Sequence, residues 1–363
     1  MTDIMPIDYL PDWEKRLQRQ DAFWENEIID RPVVHIQLPK DNPDYEFPAE
    51  KQHATWRDKW FDSQYIAEKS LAMVMNTDFL GDALPKAMPN LGPEVFSAFF
   101  GAEMEYREHT SWSIPNLEQW DDVDQIYFSK DNFYWQKLLE MTDAMLEAGK
   151  NKFYTGITDL HAGADAIATF RDPENLALDM IEHPEQVKKL TAHTEEIMTW
   201  IVDYFYDKLC IQNKQAFTTW APIVSSKKWY LPSEDFSCMI SEDMFREFFL
   251  PGIEEECRHL DASIYHLDGP DALRHLDSLL EVEDLNAIQW VYGAGNGRAS
   301  DWMDVYKRCQ SAGKGLQIEL EPDELDYFMD ELHPEGLWIS VGGNDLKSRE
   351  QAEYILEKVK SWT

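Results

Sequence analysis

The chain has 363 residues, with 69 acids against 33 bases and a formal charge of −36. Nucleic-acid backbones and anionic membrane surfaces are met by clustered Lys and Arg, so this balance argues against both as partners. Apolar residues at 44% and aromatics at 13% can fill a large core, which excludes wholesale disorder. No run of about 18 apolar residues is present, so no membrane-spanning helix is expected. The acidic stretch Met1–Leu10 lacks the basic-then-apolar order of a signal peptide. Cys210, Cys238, Cys257 and Cys309 form no Cys-x-x-Cys pair, and read as the reduced thiols of a cytoplasmic protein.

The chain reads as a single domain over residues 1–363, with no repeat and no Gly/Ser/Pro-rich linker. An N-terminal helical extension (residues 1–30) carries an amphipathic stretch, Trp13 to Ile29, with Trp13, Phe23 and Trp24 set to lie on a larger body. Eight short apolar runs follow: Val33–Leu38, Ala72–Thr77, Phe153–Asp159, Gln215–Trp220, Ala262–Asp268, Ala287–Tyr292, Leu316–Leu320 and Leu337–Val341. Ala72–Thr77 reads either as a strand or as the end of the helix before it. Helical patterns separate the runs. Ser241 is placed to cap one helix, Ser300 starts another that Gly313 ends, and Ser348 with Gln351 makes a capping box for the last. Strand–helix alternation predicts a parallel sheet, and eight such units predict an α/β fold of the (β/α)8 TIM-barrel type. The long connection 81–136 predicts a lid or rim insertion near the barrel mouth.

In such barrels chemistry sits at the carboxyl ends of the strands. His266 and Asp268 are two apart, so they share a face at the end of one strand, where they suit metal ligation, acid/base work or a substrate clamp; Asp268 capping the next helix is the structural alternative. Asp159 and His161 repeat the spacing, with Asp165 beyond, and read equally as a hydrogen-bonded loop. Glu319 shares an inward face with Gln317, and a buried glutamate needs a partner. Trp220, Trp229, Tyr230, Asp235, Ser237 and Trp290 are candidate walls of a substrate pocket; the aromatics equally suit packing beneath its rim. Gly293-Ala-Gly-Asn-Gly297 reads as a tight turn more than an anion cradle, and its spacing is not a dinucleotide fingerprint. Serine-nucleophile, phosphate-loop, His-Glu-x-x-His and EF-hand patterns are absent.

From about Arg31 to Lys360 the chain resembles the uroporphyrinogen decarboxylase superfamily. The resemblance rests on Arg31-Pro-Val-Val34, Gly81-Asp82-Ala83, Asn90-Leu-Gly-Pro93, Phe100-Gly-Ala102, Asp179 with His183-Pro-Glu185, Ile240-Ser-Glu-Asp-Met-Phe245 with Pro251, and Tyr265-His-Leu-Asp-Gly269. The decarboxylase branch reads a polyanionic tetrapyrrole with arginines after the first strand, whereas this chain has Ile36-Gln-Leu-Pro-Lys40 there. The cobalamin-dependent methyltransferase branch is more similar. Its thiol-methylating members hold zinc by His-x-Cys at this strand end and a Cys after the last strand. Here His266 matches the first ligand, Asp268 replaces the second, and Gly342-Gly-Asn-Asp345, with Asn344 a candidate substrate contact, follows the last strand. The resemblance implies zinc on His266 and Asp268, with Glu319 or Asp159 as third ligand, and a corrinoid brought by a partner protein; a metal-free variant uses His266 or Glu319 as the acid. It also implies a homodimer. The expected function is corrinoid-linked methyl transfer on a small methoxylated or methylamine-type substrate. A lyase or hydrolase of the same fold without cobalamin, or a non-catalytic ligand-binding barrel, stays open.

Overall fold

A computed structural model describes residues 4–341, 346 and 348–363. Seven strands build the main sheet: β1 (Val33–Pro39), β2 (Thr77–Gly81), β3 (Trp229–Tyr230), β4 (Ala262–Asp268), β5 (Ala287–Val291), β6 (Gly315–Leu320) and β7 (Leu337–Val341). Their order is β2-β1-β7-β6-β5-β4-β3. Every neighbouring pair is parallel except β1 with β2, which is antiparallel. Helices separate β4, β5, β6 and β7, as a parallel sheet requires.

The sheet is open, so the closed eightfold ladder expected from the sequence is not present among the described residues. Phe153–Asp159 and Gln215–Trp220 contribute only Tyr154–Thr155 and Phe217–Thr218 as strand. The first pairs with Lys86–Ala87 and the second with Val224–Ser225. Single bonds carry the backbone across this side, Gly156 N to Ala87 O at 2.8 Å and Ile157 N to Thr218 O at 2.9 Å. Ala72–Thr77 takes the helical of its two readings. Asp62 caps a helix, Ser63–Met75, that runs through most of it, and the strand begins at Thr77.

The N-terminal helix is Trp13–Phe23, shorter than its apolar pattern because the chain turns at Asn26 with φ +53°. It covers the starting end of the parallel strands. Asn26 Nδ2 donates to Gly313 O just before β6, and Asn286 Nδ2 donates to Trp24 O just before β5. Parallel strands that start at one end must finish at the other, so the opposite end is free to carry a site.

A buried ion pair fixes this arrangement. Asp82 is fully buried and accepts from Arg31, from Arg19 Nη1 at 3.0 Å and from the Val34 amide at 2.9 Å. Gly81 before it has φ +64°, and a Cβ there would stand 2.2 Å from Val34 O. The Gly-Asp-Ala triplet is therefore structural: the glycine lets β2 approach β1, and the aspartate ties the N-terminal helix to β1. Removing Asp82 leaves two arginines without their shared counter-ion. We expect Asp82→Ala to lose about 3–5 kcal/mol, read by denaturant unfolding; a loss within the error of surface substitutions would contradict this account.

Candidate functional site

His266 and Asp268 leave β4 on one face, and a third carboxylate joins them. Asp235, His266 and Asp268 each offer a ligand atom, all within 4.8 Å of one another. Burial raises the Asp268 carboxyl, Asp235 beside it raises it further, and His266 opposes both. The sequence offered Glu319 or Asp159 as third partner. Glu319 lies exposed at the end of β6, correcting its expected place on the buried face, and Asp159 serves another histidine.

The His266 ring is aimed by its neighbours on the sheet. In register, His266 pairs with Gln289 on β5 and Gln289 with Gln317 on β6. His266 Nδ1 lies 2.5 Å from Gln289 Oε1, and Gln289 Nε2 donates to Gln317 Oε1 at 2.6 Å. With Nδ1 donating to that oxygen, Nε2 carries the lone pair and is free to accept or ligate. Trp220 packs edge-on against the ring, with centroids 5.1 Å apart.

The second pair is equally ordered. His161 Nε2 stands 3.0 Å from Asp159 Oδ1, and Nδ1 lies 2.6 Å from Ser233 Oγ and 3.8 Å from Asp165 Oδ2. Burial disfavours charge on His161. The bond to Asp159 and the charges of Asp159, Asp165 and Asp235 outweigh it and push the imidazolium up to about 9. Asp165 is pushed up to about 6 by burial and by Asp235, against the pull of His161 and two backbone amides. Those amides belong to Asp235 and Phe236, which donate at 2.9 and 2.8 Å. Asp165 thus pins the short helical turn Asp235–Met239 and sets Asp235 between the two histidines.

Behind His161 sit further acids. Glu234 is buried and accepts from Ala164 N at 2.7 Å. Gly163, at φ +58°, leaves the space that Glu234 and Glu195 oxygens occupy; a Cβ there would stand 1.9 and 2.8 Å from them. Burial pushes both carboxyls up, and Glu256 to about 7.

A cleft of about 470 Å³ touches His161, Asp165 and Asp235, but not His266 or Asp268. Pro93, Phe96, Trp112 and Pro115 of the 81–136 segment face these residues across it. The metal-type cluster and this cleft therefore meet at Asp235.

Four of the expected pocket residues are elsewhere. Trp229 is fully buried against Trp24 and donates to Phe217 O. The buried Tyr230 hydroxyl receives Leu160 N at 2.9 Å, so it braces the loop bearing His161. Ser237 is buried, with its carbonyl 2.8 Å from His275 Nε2. Trp290 is buried against Trp302. Large rings near a mouth follow the core, because burial outweighs placement at the rim. Asn344 and the Gly342–Asp345 stretch lie outside the described residues. The glycine run at 293–297 is a turn with three positive φ values, and its Arg298 is taken by Glu321 and Asp323.

Two basic groups escaped sequence reasoning. Lys86 Nζ donates to the carbonyls of Thr219 and Trp220, and burial lowers it to about 7. His35 on β1 stacks on Trp338 and is lowered to about 3, by burial and then by Lys86. Both follow apolar neighbours at no motif spacing, so only the fold brings them inside.

His161 generates a pH prediction. Its folded pKa lies above the ordinary 6.5, so its stabilisation is complete below 6.5 and is lost as pH rises through about 9. The Tm advantage of the parent chain over His161→Gln should shrink across that window. The ring proton resonances should titrate near 9, and lower in Asp159→Asn. A midpoint at or below 6.5 in the parent would contradict the geometry.

No family model and no curated protein sequence matches the chain. A solved methyltransferase from Methanosarcina mazei superposes with a TM-score of 0.61 over 95% of this chain and 98% of its own, at 11% identity. A B12-independent methionine synthase from Shewanella sp. W3-18-1, in complex with selenomethionine, aligns over 90% of this chain and 95% of its own at 10% identity, with a TM-score of 0.41. At 11% identity the likeness to the first of these is one of fold. The chain has a mixed α/β fold with a parallel central sheet, and that fold is similar to the one of the Methanosarcina mazei methyltransferase.

Proposed function

We propose that the chain is a methyltransferase acting on a small methoxylated or methylamine-type substrate, with a corrinoid carried by a partner protein as the other methyl-bearing group. The observation that carries the reading is the convergence of Asp235, His266 and Asp268 at the finishing end of β4, on a fold shared with a methyltransferase.

The three residues suit a divalent cation. Their donor set is one imidazole nitrogen and two carboxylate oxygens, which matches zinc and other borderline ions. The Gln289–Gln317 relay fixes the His266 tautomer, as outer partners do around ligating histidines. When bound, such an ion supplies Lewis acidity at the substrate oxygen or nitrogen. This chain's own side chains do the rest. The Asp235, Asp268 and Asp165 carboxyls favour a small neutral or cationic group over an anion, and Trp220 packs edge-on against His266 beside them in the cluster. His161 holds a proton beside the cleft at neutral pH and is placed to give it to a leaving oxygen or amine.

Two measurements test this. Protein purified without chelator should carry about one equivalent of divalent metal, lost in Asp268→Ala; less than about one tenth of an equivalent overturns the metal assignment. Reduced cobalamin with a panel of methoxylated aromatics and methylamines should give methylcobalamin for at least one substrate, followed by cobalt absorbance. His266→Ala and His161→Gln should each slow the reaction by about 10²-fold or more. No methyl transfer with any panel member, while one of them raises Tm, overturns the methyltransferase reading in favour of a binding protein.

A further inference from the structure

A second cavity of about 790 Å³ opens behind the hairpin Glu103–Tyr106/Ser111–Ile114, whose Trp112 and Ser113 serve the cleft already described. Its chemistry is opposite to that of the candidate site. Lys51, His53, Arg57, Lys59, Lys69 and Arg107 line it, against only Glu50 and Glu108. In a chain with 69 acids and 33 bases, that local excess of cations is the reverse of the average.

The pairing of these cations is the sharper observation. Every other arginine of the chain has a carboxylate within ion-pair distance. Arg57 has none among the described residues. Its guanidinium lies 5.3 Å from the centroids of the Phe61 and Phe133 rings and 5.6 Å from that of Tyr134, and donates weakly to the Tyr134 hydroxyl at 3.4 Å. Glu103 is reached only through that hydroxyl. Lys59 and Lys69 likewise have no carboxylate among the described residues, and lie over Trp56 and Tyr65. Lys51 and His53 share Asp62. Arg107 is held by an exposed Glu105 at 3.4 Å and lies over Trp112.

Aromatic packing fixes the direction of a guanidinium without neutralising it. Three cations held on rings around one groove, in a protein able to supply a carboxylate to every other arginine, leave the neutralising charge to a ligand. We propose that this groove binds a small organic or inorganic polyanion, a di- or tricarboxylate or a phosphate ester, through Arg57, Lys59 and Lys69. The planar fork of Arg57 suits bidentate capture of a carboxylate or phosphate, and the lysines suit the second anionic group as mobile point charges. Because the hairpin roofs both cavities, an anion here sits one strand pair away from the cleft bearing His161.

The test is titration calorimetry of the full-length protein with succinate and, separately, with phenyl phosphate, backed by ³¹P line broadening for the latter. The expected result is saturable binding of one equivalent of at least one of them, weakening as salt is raised. Arg57→Gln should weaken it about tenfold or more, and Lys59→Gln/Lys69→Gln, at a partly exposed and an exposed side chain whose loss leaves the fold intact, should do the same. His266→Ala should bind normally, which separates this groove from the cluster at β4 and its failure from a failure of methyl transfer. The two anions distinguish carboxylate from phosphate chemistry. Absence of saturable binding for both, or binding unchanged in Lys59→Gln/Lys69→Gln, overturns the proposal.

Discussion

The Asp165 carboxylate is the constraint on which the site depends. Its two oxygens take the backbone amides of Asp235 and Phe236, and these bonds hold the turn that begins at Asp235. Without them the Asp235 side chain has no fixed place beside His266. The same carboxylate also faces His161 at 3.8 Å. One residue thus spaces two histidines that stand on different elements, one on β4 and one on the loop before the helix Gly163–Arg171.

The sheet supplies the complementary half of that order. A parallel ladder places His266, Gln289 and Gln317 on three adjacent strands in register, and their side chains pass one hydrogen-bonded chain across the interior. Buried amide groups are costly unless paired. Here the Gln289 amide is paired on both sides, with His266 and with Gln317, so the polar line becomes a device for holding one imidazole; the Gln317 Nε2 at its end has no partner among the described residues. The far end of the sheet is closed by the N-terminal helix and locked by Asp82. Rigidity at the starting ends of the strands and polar chemistry at their finishing ends are two consequences of one parallel arrangement.

Much of this was legible in the sequence. Ala262–Asp268 and Leu337–Val341 are strands over the whole of their expected ranges, because short, mostly apolar runs set between turns and helical segments suit a buried parallel strand. His266 and Asp268, two apart on the strand β4, lie on one face as period-two spacing requires; Asp159 and His161 also come together, but on a stretch that is not strand, so strand alternation does not account for that contact. The failures share a cause. Trp229, Tyr230 and Trp290 were candidate pocket walls on their position in the chain, but a large ring near a strand end gains more from the core than from the rim. Glu319 is exposed between the buried Ile318 and Leu320 at the finishing end of β6, so sharing a face with the buried Gln317 did not bury it, and alternation alone cannot locate where that face meets solvent. The closeness of Asp235 to His266 depends on Asp165, seventy residues away in the chain from the turn it holds, and no local pattern encodes such a contact. Lys86 and His35 were hidden for the same reason.

The opening charge surplus acquires a local meaning from these contacts. Most of the acids are exposed, and many sit in surface ion pairs that contribute little stability. A few are not. Asp235 raises the carboxyls of Asp165 and Asp268 and helps hold the proton on His161. It therefore acts on both histidine sites at once. A positive charge placed beside Asp235 and Asp268 offsets the field that raises those carboxyls, and it weakens the hold on the His161 proton by the same interaction. Were the proposed cation bound at His266, its occupancy and proton release at His161 would be linked through a single carboxylate, with the sign fixed by Coulomb's law and the size limited by screening between the two sites.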